Sequence, residues 1–281
     1  MTLLNGKETA AQIRAEIKGR ADRFFEKRGY PVGLAVVLIG ENPASQVYVR
    51  NKIKACEEAG IRSFSYYLPQ STSQKDAEEL VSSVAENKQV HGILVQLPLP
   101  NGLDAEKILA KIPAEKDVDG FSENNIGSLA LGKKAIVACT PLGVMELLKR
   151  YGVSVAGKRA VVVGRSNIVG KPMAMLLLNA DATVTVCHSK TQNLKEECRN
   201  ADILIAAIGK AKFITADMVK ENAIVVDVGM NRDESGLCGD VDFAEVQKKA
   251  SYITPVPGGV GPMTIAMLLN NVCEAAERTE E

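Results

Sequence analysis

The segment Val161-Val-Val-Gly-Arg-Ser-Asn-Ile-Val-Gly-Lys-Pro172 constrains the fold more than any other part of this sequence. A β-branched run leads into a glycine turn, and the turn opens a helical pattern. Such a strand–turn–helix unit points bare backbone N–H groups at a phosphate, as in dinucleotide-binding α/β domains. The spacing of Gly164, Ser166 and Gly170 departs from G-x-G-x-x-G, so an ordinary strand-to-helix turn is the alternative.

The residues after the next predicted strand indicate which dinucleotide would bind. About twenty-five residues beyond the glycine turn, where an NAD enzyme places an acidic group for the ribose, the chain reads Cys187-His188-Ser189-Lys190. No carboxylate stands there to repel a 2′-phosphate, and Arg165 is able to pair with one. The sequence therefore predicts a site that prefers NADP to NAD.

Composition limits the class of protein. With 281 residues, of which 46% are hydrophobic and 24% charged, the chain is long enough for two domains. Lys plus Arg equals Asp plus Glu at 34 each, so no overall field favours nucleic acid or an anionic membrane. The six cysteines form no C-x-x-C pair, which predicts no metal site and suits the reducing cytoplasm. No signal peptide is evident, and no apolar run approaches the roughly eighteen residues of a membrane span.

Strand-length apolar runs alternate with helical patterns in both halves, which predicts an α/β fold with parallel sheets. The predicted strands are 33–40, 63–68, 92–97, 159–164, 182–187, 202–208, 223–228 and 251–254. The predicted helices are 6–28, 43–59, 74–87, 104–111, 170–180, 191–200, 215–221 and 263–276.

The domain boundary is predicted at a further helix, which Thr140 would cap and Pro141 would begin. Residues 1–139, with a C-terminal helical segment 263–281, are expected to form the first α/β domain. Residues 140–262 are expected to form a Rossmann-like dinucleotide-binding domain, with a cleft between the two.

Tyr48 and Lys52 lie at positions i and i+4 of the predicted helix 43–59, so a ring and an amine project together. If a site closes over Lys52, burial favours the neutral amine and makes it a usable base. The alternative is a packed ring beside a lysine stem that reaches to solvent.

Gln96 interrupts an apolar run at the carboxyl end of a strand, where α/β sheets bind ligands. A buried amide needs partners, so Gln96 belongs either to a structural network or to a site. Asp117-Val-Asp119-Gly120 is either an Asp-rich turn or the source of a carboxylate that grips N–H groups of a ligand. A calcium loop is rejected, because its sixth position is Ser122 and its twelfth is Ser128.

The glycine-rich segment Pro255-Val-Pro-Gly-Gly-Val-Gly-Pro262 is either a stiff connector or a place where backbone approaches a flat ring closely. Its position after the last predicted strand favours a ligand contact. The two histidines, His91 and His188, lack the partners of a nucleophilic triad, so neither is expected to be catalytic.

Six segments occur in a fixed order along the chain. They are Tyr48-Val-Arg-Asn-Lys52, Gly92-Ile-Leu-Val-Gln-Leu-Pro-Leu-Pro100, Lys116-Asp-Val-Asp-Gly120, Val163-Gly-Arg-Ser-Asn-Ile-Val-Gly-Lys-Pro172, Cys187-His-Ser-Lys190 and Thr254-Pro-Val-Pro-Gly-Gly-Val-Gly-Pro-Met-Thr264. Together they closely resemble the bifunctional methylenetetrahydrofolate dehydrogenase/cyclohydrolase family, over nearly the whole chain. Met230 departs from the Ile that this family more often has, and a flexible apolar side chain should still pack against the cofactor.

The resemblance implies that NADP⁺ takes hydride from 5,10-methylenetetrahydrofolate, and that water then opens the methenyl product to 10-formyltetrahydrofolate. Both steps would share one cleft, in a folate-binding catalytic first domain and an NADP-binding second domain. The resemblance also implies a role in one-carbon metabolism and purine biosynthesis. The partners would be a small-molecule folate and a second copy in a cytoplasmic homodimer, with no nucleic acid or membrane.

Residue roles follow from the same resemblance. Lys52 would be the general acid/base of hydrolysis, Gln96 would position its amine, and Asp119 would hold the pterin. Tyr48 would stack on the aminobenzoyl ring, and Gly258 and Gly259 would lie near the nicotinamide and the folate. The implied cofactor-binding residues are Gly164, Arg165, Ser166, Ser189 and Met230, with no metal required.

Two other functions fit the sequence pattern. One is an NADP-dependent dehydrogenase of another small substrate, such as the shikimate dehydrogenase type, which also joins a substrate domain to a dinucleotide domain and employs a lysine. The other is a redox sensor that binds NADP without turnover. Gln96 and the Asp-Val-Asp-Gly turn distinguish the folate enzyme from the shikimate type.

Overall fold

The computed structural model describes residues 1–234 and 236–279. The strands are β1 (Thr2–Leu3), β2 (Gly33–Ile39), β3 (Arg62–Leu68), β4 (Gly92–Val95), β5 (Arg159–Val163), β6 (Thr183–Cys187), β7 (Ile203–Ala206), β8 (Ile224–Asp227), β9 (Asn231–Asp233), β10 (Gly236–Cys238) and β11 (Tyr252–Ile253). The helices are α1 (Gly6–Arg28), α2 (Pro43–Glu58), α3 (Gln74–Glu86), α4 (Ala105–Leu109), α5 (Glu123–Ala130), α6 (Cys139–Arg150), α7 (Gly170–Asn179), α8 (Leu194–Arg199), α9 (Phe243–Val246) and α10 (Val260–Arg278), with a 3-10 turn at Ala216–Met218. The predicted α/β class with parallel sheets is confirmed.

The chain divides into two compact units. The six-stranded unit comprises Met1–Ala11, Leu129–Lys133 and Ala138–Met267, and the three-stranded unit comprises the remaining segments from Gln12 onward. The division differs from the predicted one at residues 1–11, 129–133, 138–139 and 263–267, all of which lie in the six-stranded unit. Residues 1–11 belong there because β1 pairs in parallel with β11. Residues 280 and 281 of the predicted C-terminal segment lie outside the described residues.

The larger sheet has the order β1-β11-β8-β7-β5-β6, and its neighbouring strands are parallel. β5, β7 and β8 are almost entirely buried, as expected for parallel strands covered on both faces. From β5 the chain proceeds to β6 on one side and then crosses to β7 on the other. In such sheets, ligands bind outside the carboxyl ends of the strands where the order reverses, here between β5 and β7.

The smaller sheet has the order β3-β2-β4, with β2 buried along its whole length. Its register places Val37 opposite Val95, and the Gln96 N–H donates to the Val37 carbonyl at 2.9 Å. Gln96 therefore extends the ladder by one residue beyond β4. A hydrophobic cluster of β2, β4 and α3 residues supports this end of the sheet.

His91 is a structural residue of the three-stranded unit. Its side chain is 3% exposed, its Nδ1 accepts the Gly33 N–H at 2.9 Å, and its ring stacks on Tyr30 and meets the edge of Phe24. Burial lowers the pKa of His91 to about 4, and the charges of Lys116 and Arg28 act in the same direction. The imidazole is therefore neutral at pH 7.

Several local elements differ from the sequence expectation. Helix α6 begins two residues early, at Cys139 rather than Pro141, and Thr140 does not cap it. The Thr140 hydroxyl instead shares a hydrogen bond with the Thr264 hydroxyl at 3.0 Å. Helix α5 and the β9–β10 hairpin were not predicted, because each is short.

In the described part of the chain, no helix is both long and apolar enough to cross a membrane. All six cysteines are buried, and none is in a disulfide.

We expect the His91 ring to titrate near pH 4 in the folded protein. The unfolded chain takes up this proton near pH 6.5, so the free energy of unfolding falls as pH falls from about 6.5 toward 4, by about 3 kcal/mol in total. NMR of the ring protons measures this pKa directly. In a His188→Gln variant the only histidine signal belongs to His91, and titration of that signal near pH 6.5 would contradict the expectation.

Candidate active site

Lys52 and Gln96 meet in the three-stranded unit. Helix α2 is capped by the Asn42 side chain, which accepts the Ser45 N–H at 3.1 Å. Further along this helix, Lys52 Nζ donates to Gln96 Oε1 at 3.0 Å, while Gln96 Nε2 donates to the Leu97 carbonyl at 2.6 Å. These two bonds orient the amide so that its oxygen faces the amine. The network predicted for Gln96 thus includes the candidate base.

The two carboxylates of the Asp-Val-Asp-Gly turn have different surroundings. Asp117 is buried and accepts the backbone N–H groups of Gly120 and Ser122 at 3.0 and 2.7 Å. The Asn125 amide also donates to Asp117, at 3.1 Å, and its oxygen accepts a backbone N–H from residue 136. Asp117 is therefore the carboxylate that shapes the turn.

Asp119 is half-buried, and no hydrogen bond reaches its carboxylate from the described residues. Burial raises the pKa of Asp119 to about 6, against the opposing influence of the Lys52 charge and with a smaller contribution from Asp117. At pH 7 this carboxylate is mostly ionised and can accept N–H groups from a ligand. Lys52 is close enough to interact with it electrostatically.

Tyr48 lies one helical turn before Lys52, and 42% of the residue is exposed. An exposed ring beside an amine offers an apolar face to an aromatic ligand. The alternative, a packed ring beside a lysine stem that reaches to solvent, is less consistent with this exposure.

Gly164 forms the turn that was predicted to approach a phosphate. Its φ of +127° is a conformation that other residues rarely adopt. A Cβ at Gly164 would also collide with the Ala207 carbonyl oxygen, at the start of the loop after β7. The Gly164 N–H donates to the Cys187 carbonyl at 2.9 Å. The turn therefore sits where the carboxyl ends of β5, β6 and β7 converge.

Ser166 occupies part of the predicted anion site. Its hydroxyl oxygen accepts the N–H groups of Val169 and Gly170 at 3.2 and 3.3 Å, at the beginning of α7. Two N–H groups that were expected to be bare are thus satisfied within the protein. The Ser166 hydroxyl keeps its own proton as a donor for a ligand oxygen.

Arg165 lies after β5 and Ser189 lies after β6, the strand that pairs with β5. Val163 at the end of β5 pairs with Cys187 at the end of β6, so each candidate residue lies two positions beyond its strand. Both are exposed. The loop carrying Ser189 is ordered by Thr191, whose hydroxyl accepts the His188 N–H at 2.8 Å. A cation, a hydroxyl and a loop without carboxylates suit a 2′-phosphate.

Met230 and the 255–262 segment lie at the carboxyl end of the same sheet. Met230 is 52% exposed, and its Cε lies 3.4 Å from the position that a Cβ would take at Gly261. The Gly258 carbonyl accepts the Lys7 N–H at 2.9 Å, and the Gly259 N–H donates to the Pro255 carbonyl at 2.9 Å. The segment is thus a turn tied to the start of α1, and both glycines belong to the six-stranded unit.

Sequence reasoning missed two buried carboxylates, Asp227 and Asp240, beneath these loops. The sequence signal that could have found Asp227 is an aspartate at the end of the apolar strand Ile224–Asp227.

No group of three or more His, Cys, Asp or Glu side chains in the described ranges is placed to hold a metal ion.

Comparisons with known proteins agree over almost the whole chain. Residues 4–119 match the family profile "Tetrahydrofolate dehydrogenase/cyclohydrolase, catalytic domain", and residues 138–280 match its "NAD(P)-binding domain". The chain belongs to the tetrahydrofolate dehydrogenase/cyclohydrolase family. A relative from Moorella thermoacetica, the "Bifunctional protein FolD", is 57% identical over 98% of this chain and 99% of its own length.

Solved structures of the family superpose closely on this chain. The bifunctional FolD methylenetetrahydrofolate dehydrogenase/cyclohydrolase of Campylobacter jejuni has a TM-score of 0.97 and 53% identity, covering 99% of each chain. The Trypanosoma brucei enzyme, solved with NADP cofactor and inhibitor, has a TM-score of 0.95 and 40% identity, covering 100% of this chain and 99% of its own. The family resemblance seen in the sequence is thereby confirmed.

The shikimate dehydrogenase alternative is not favoured. The shikimate 5-dehydrogenase of Thermus thermophilus superposes with a TM-score of 0.54 at 18% identity, covering 87% of this chain and 99% of its own. That likeness concerns the fold alone.

We expect a Ser166→Ala variant to loosen the first turn of α7. Loss of a helix cap costs about 1 kcal/mol, which corresponds to roughly fivefold faster local exchange of the Val169 and Gly170 amides. Hydrogen–deuterium exchange of the peptide covering these residues measures the effect. Ser189→Ala, which removes an exposed hydroxyl outside the cap, is the matched control. Equal exchange in the two variants would show that the cap contributes nothing.

Proposed function

We propose residue roles for the two reactions of this enzyme, a bifunctional NADP-dependent methylenetetrahydrofolate dehydrogenase and methenyltetrahydrofolate cyclohydrolase. It oxidises 5,10-methylenetetrahydrofolate to the methenyl compound with NADP⁺ and hydrolyses that product to 10-formyltetrahydrofolate. The observation that carries the residue roles is the 3.0 Å bond between Lys52 Nζ and Gln96 Oε1. This bond holds one amine in a fixed place beside an ionisable carboxylate.

Lys52 is the proton carrier of the hydrolytic step. The methenyl carbon is cationic and electrophilic, so attack by water needs only a base that removes a proton. Lys52 Nζ accepts that proton as the water oxygen bonds to the carbon. The resulting ammonium then returns a proton to N5 of the folate as the bond from N5 to this carbon breaks. As that bond breaks, the carbon–oxygen double bond forms and the hydroxyl proton left from water is released to solvent. The formyl group stays on N10, and Lys52 is restored.

Gln96 and Asp119 hold the participants in place. Gln96 directs its amide oxygen at Nζ, so the amine keeps one orientation through the proton transfers. Asp119, ionised at pH 7, accepts N–H groups of the pterin. The exposed ring of Tyr48 stacks on the aminobenzoyl group.

The NADP-binding residues lie at the carboxyl edge of the larger sheet. Arg165 and Ser189 hold the 2′-phosphate, and the Ser166 hydroxyl donates to a phosphate oxygen. Gly164 lets the backbone approach the pyrophosphate, and Met230 packs on the nucleotide. NADP⁺ supplies the acceptor for the hydride that leaves the methylene carbon. Gly258 and Gly259 complete the site near the nicotinamide and the folate.

The same roles support the division into a folate-binding domain, residues 1–139 with 263–281, and an NADP-binding domain, residues 140–262. The candidate acid/base and pterin residues fall in the first range, and the glycine turn and Ser189 fall in the second. The two profile matches, 4–119 and 138–280, change over near residue 140, and the second also includes most of the C-terminal segment.

A cytoplasmic homodimer with a role in purine biosynthesis completes the proposal. Six buried cysteines without a disulfide suit a reducing compartment. The family resemblance supports the homodimer. The product carries an activated formyl group, which suits a donor in purine synthesis. No basic surplus in the sequence favours a nucleic acid partner.

We expect Lys52→Met to fold and to lose hydrolysis of methenyltetrahydrofolate by at least about 100-fold, because no other base replaces the amine. The decay of methenyl absorbance, corrected for the reaction in buffer, measures the rate. Lys54→Met removes an exposed lysine of the same helix and is the matched control. Hydrolysis by Lys52→Met at the rate of this control would refute the proposed role.

We expect Arg165→Ala to raise the KM for NADP⁺ by about 10-fold or more, because a charged hydrogen bond to the 2′-phosphate is lost. The KM for NAD⁺ should change little. Both constants are measured by NADPH or NADH absorbance with methylenetetrahydrofolate. Arg159→Ala, at the opposite end of β5, is the control for general loss of charge.

Equal losses for NADP⁺ and NAD⁺ would count against pairing with the 2′-phosphate. The wild-type assay also addresses the two alternatives. Reduction of NADP⁺ with shikimate would support the other dehydrogenase, and tight NADP binding without any folate turnover would support a sensor.

A further inference from the structure

We propose that Asp240, braced by Asp227, is a positioning residue for NADP binding, because it fixes the loops that follow β7 and β8. This inference rests on the proposed nucleotide site at the carboxyl edge of the larger sheet. Among the described residues, the Asp240 carboxylate bonds to Ile208, Gly209, Lys210 and Asn231, none of which is a predicted cofactor residue. Its effect on the nucleotide is exerted through the loop backbone.

The Asp240 carboxylate binds the backbone of the loop after β7. It is 0% exposed and accepts three successive backbone N–H groups, from Ile208, Gly209 and Lys210, at 2.6, 3.0 and 2.8 Å. Successive N–H groups that point to one centre form a concavity for an anion. Here the anion is the protein's own side chain, so the carboxylate dictates the path of the loop.

The same carboxylate reaches the loop after β8. Asn231 Nδ2 donates to Asp240 Oδ1 at 2.9 Å. Asn231 directly follows Met230, which is exposed and proposed to pack on the nucleotide. Asp240 thus joins the loop after β7 to the residue that follows Met230.

Asp227 holds Asp240 in place from the end of β8. Its carboxylate accepts the N–H groups of Gly229, Asp240 and Val241 at 3.0, 2.9 and 2.9 Å. Its own N–H donates to the Thr254 hydroxyl at 2.7 Å, which ties it to the start of the 255–262 segment. Three loops at one edge of the sheet are therefore connected through these two aspartates, two of them by the carboxylates and the third by the Asp227 backbone N–H.

The two carboxylates fit spaces that only glycine leaves open. A Cβ at Gly229 would collide with the Asp240 carboxylate, and a Cβ at Gly239 would collide with the Asp227 carboxylate. Each aspartate therefore packs against the backbone beside the other. Such a reciprocal fit allows little displacement, so the loop positions depend closely on both side chains.

Buried charges are costly unless they are fully hydrogen-bonded. At Asp240, hydrogen bonds from the converging backbone N–H groups offset the cost of burial. A neutral side chain would accept these hydrogen bonds less well. An Asn at position 240 keeps the size of the side chain but replaces one acceptor oxygen with an NH₂ group. That NH₂ would face backbone N–H groups, so part of the loop would have to move.

The test compares Asp240→Asn with Asp242→Asn. The second variant removes the same charge two residues away, from a side chain that makes no cap hydrogen bond to α9. NADPH binding, followed by its fluorescence, and the KM for NADP⁺ are measured with the hydrolysis rate of methenyltetrahydrofolate. For Asp240→Asn we expect about 10-fold weaker NADPH binding and a similar rise in KM, because buried donors lose their acceptor. Hydrolysis, which consumes no nucleotide, should stay within about twofold of the wild type.

The control Asp242→Asn should leave all three quantities within about twofold of the wild type. Unchanged NADPH binding in folded Asp240→Asn would overturn the proposal. An equal loss of binding and hydrolysis would also overturn it, since that pattern indicates a general structural role.

If Asp240→Asn does not fold, Asn231→Ala decides the question. It removes one bond to Asp240 and leaves the backbone bonds, so we expect NADPH binding to weaken about threefold with hydrolysis unchanged. Binding equal to that of the wild type would reject the proposal. A wild-type protein that binds NADPH but oxidises no methylenetetrahydrofolate would refute the proposed function while leaving this binding test valid.

Discussion

Parallel strand pairing is the constraint on which both halves of this structure depend. When neighbouring strands run in the same direction, the loops after their carboxyl ends lie side by side. In the larger sheet this arrangement brings together the turn at Gly164, the loop bearing Ser189 and the loop after β7. In the smaller sheet it places Gln96 at the end of β4, where Lys52 of α2 reaches it. The candidate chemistry therefore follows from topology before any particular side chain is considered.

The carboxylates near the two sites have different hydrogen-bonding environments, and these environments indicate which ones shape the backbone and which one can bind a ligand. Asp117, Asp227 and Asp240 are buried and accept backbone N–H groups, so each shapes a turn or loop. Asp119 is half-buried and accepts no N–H group from the described residues, so it is suited to bind a ligand. The distinction is physical: a carboxylate whose acceptor sites are filled by the backbone has little capacity left for a substrate.

Sequence reasoning predicted Gln96 because an amide in an apolar run requires partners, and the structure provides Lys52 as one of them. It could not separate Asp117 from Asp119, since both flank Val118 and only the positions of Gly120 and Ser122 decide which carboxylate turns inward. It assigned bare N–H groups to the glycine turn, whereas Ser166 caps two of them. It expected Thr140 to cap a helix, but Thr264 offered the hydroxyl a competing partner.

The sequence by itself determined the α/β class, the glycine turn after β5 and the absence of a carboxylate after β6. Each of these depends on local order: apolar periodicity, a residue able to adopt positive φ, and the identity of a few adjacent side chains. The tertiary structure decided that β1 joins the larger sheet and that Asp240 supports a loop some thirty residues earlier in the chain. Those contacts join residues far apart in sequence, and no local pattern records them, because they depend on how separate elements pack.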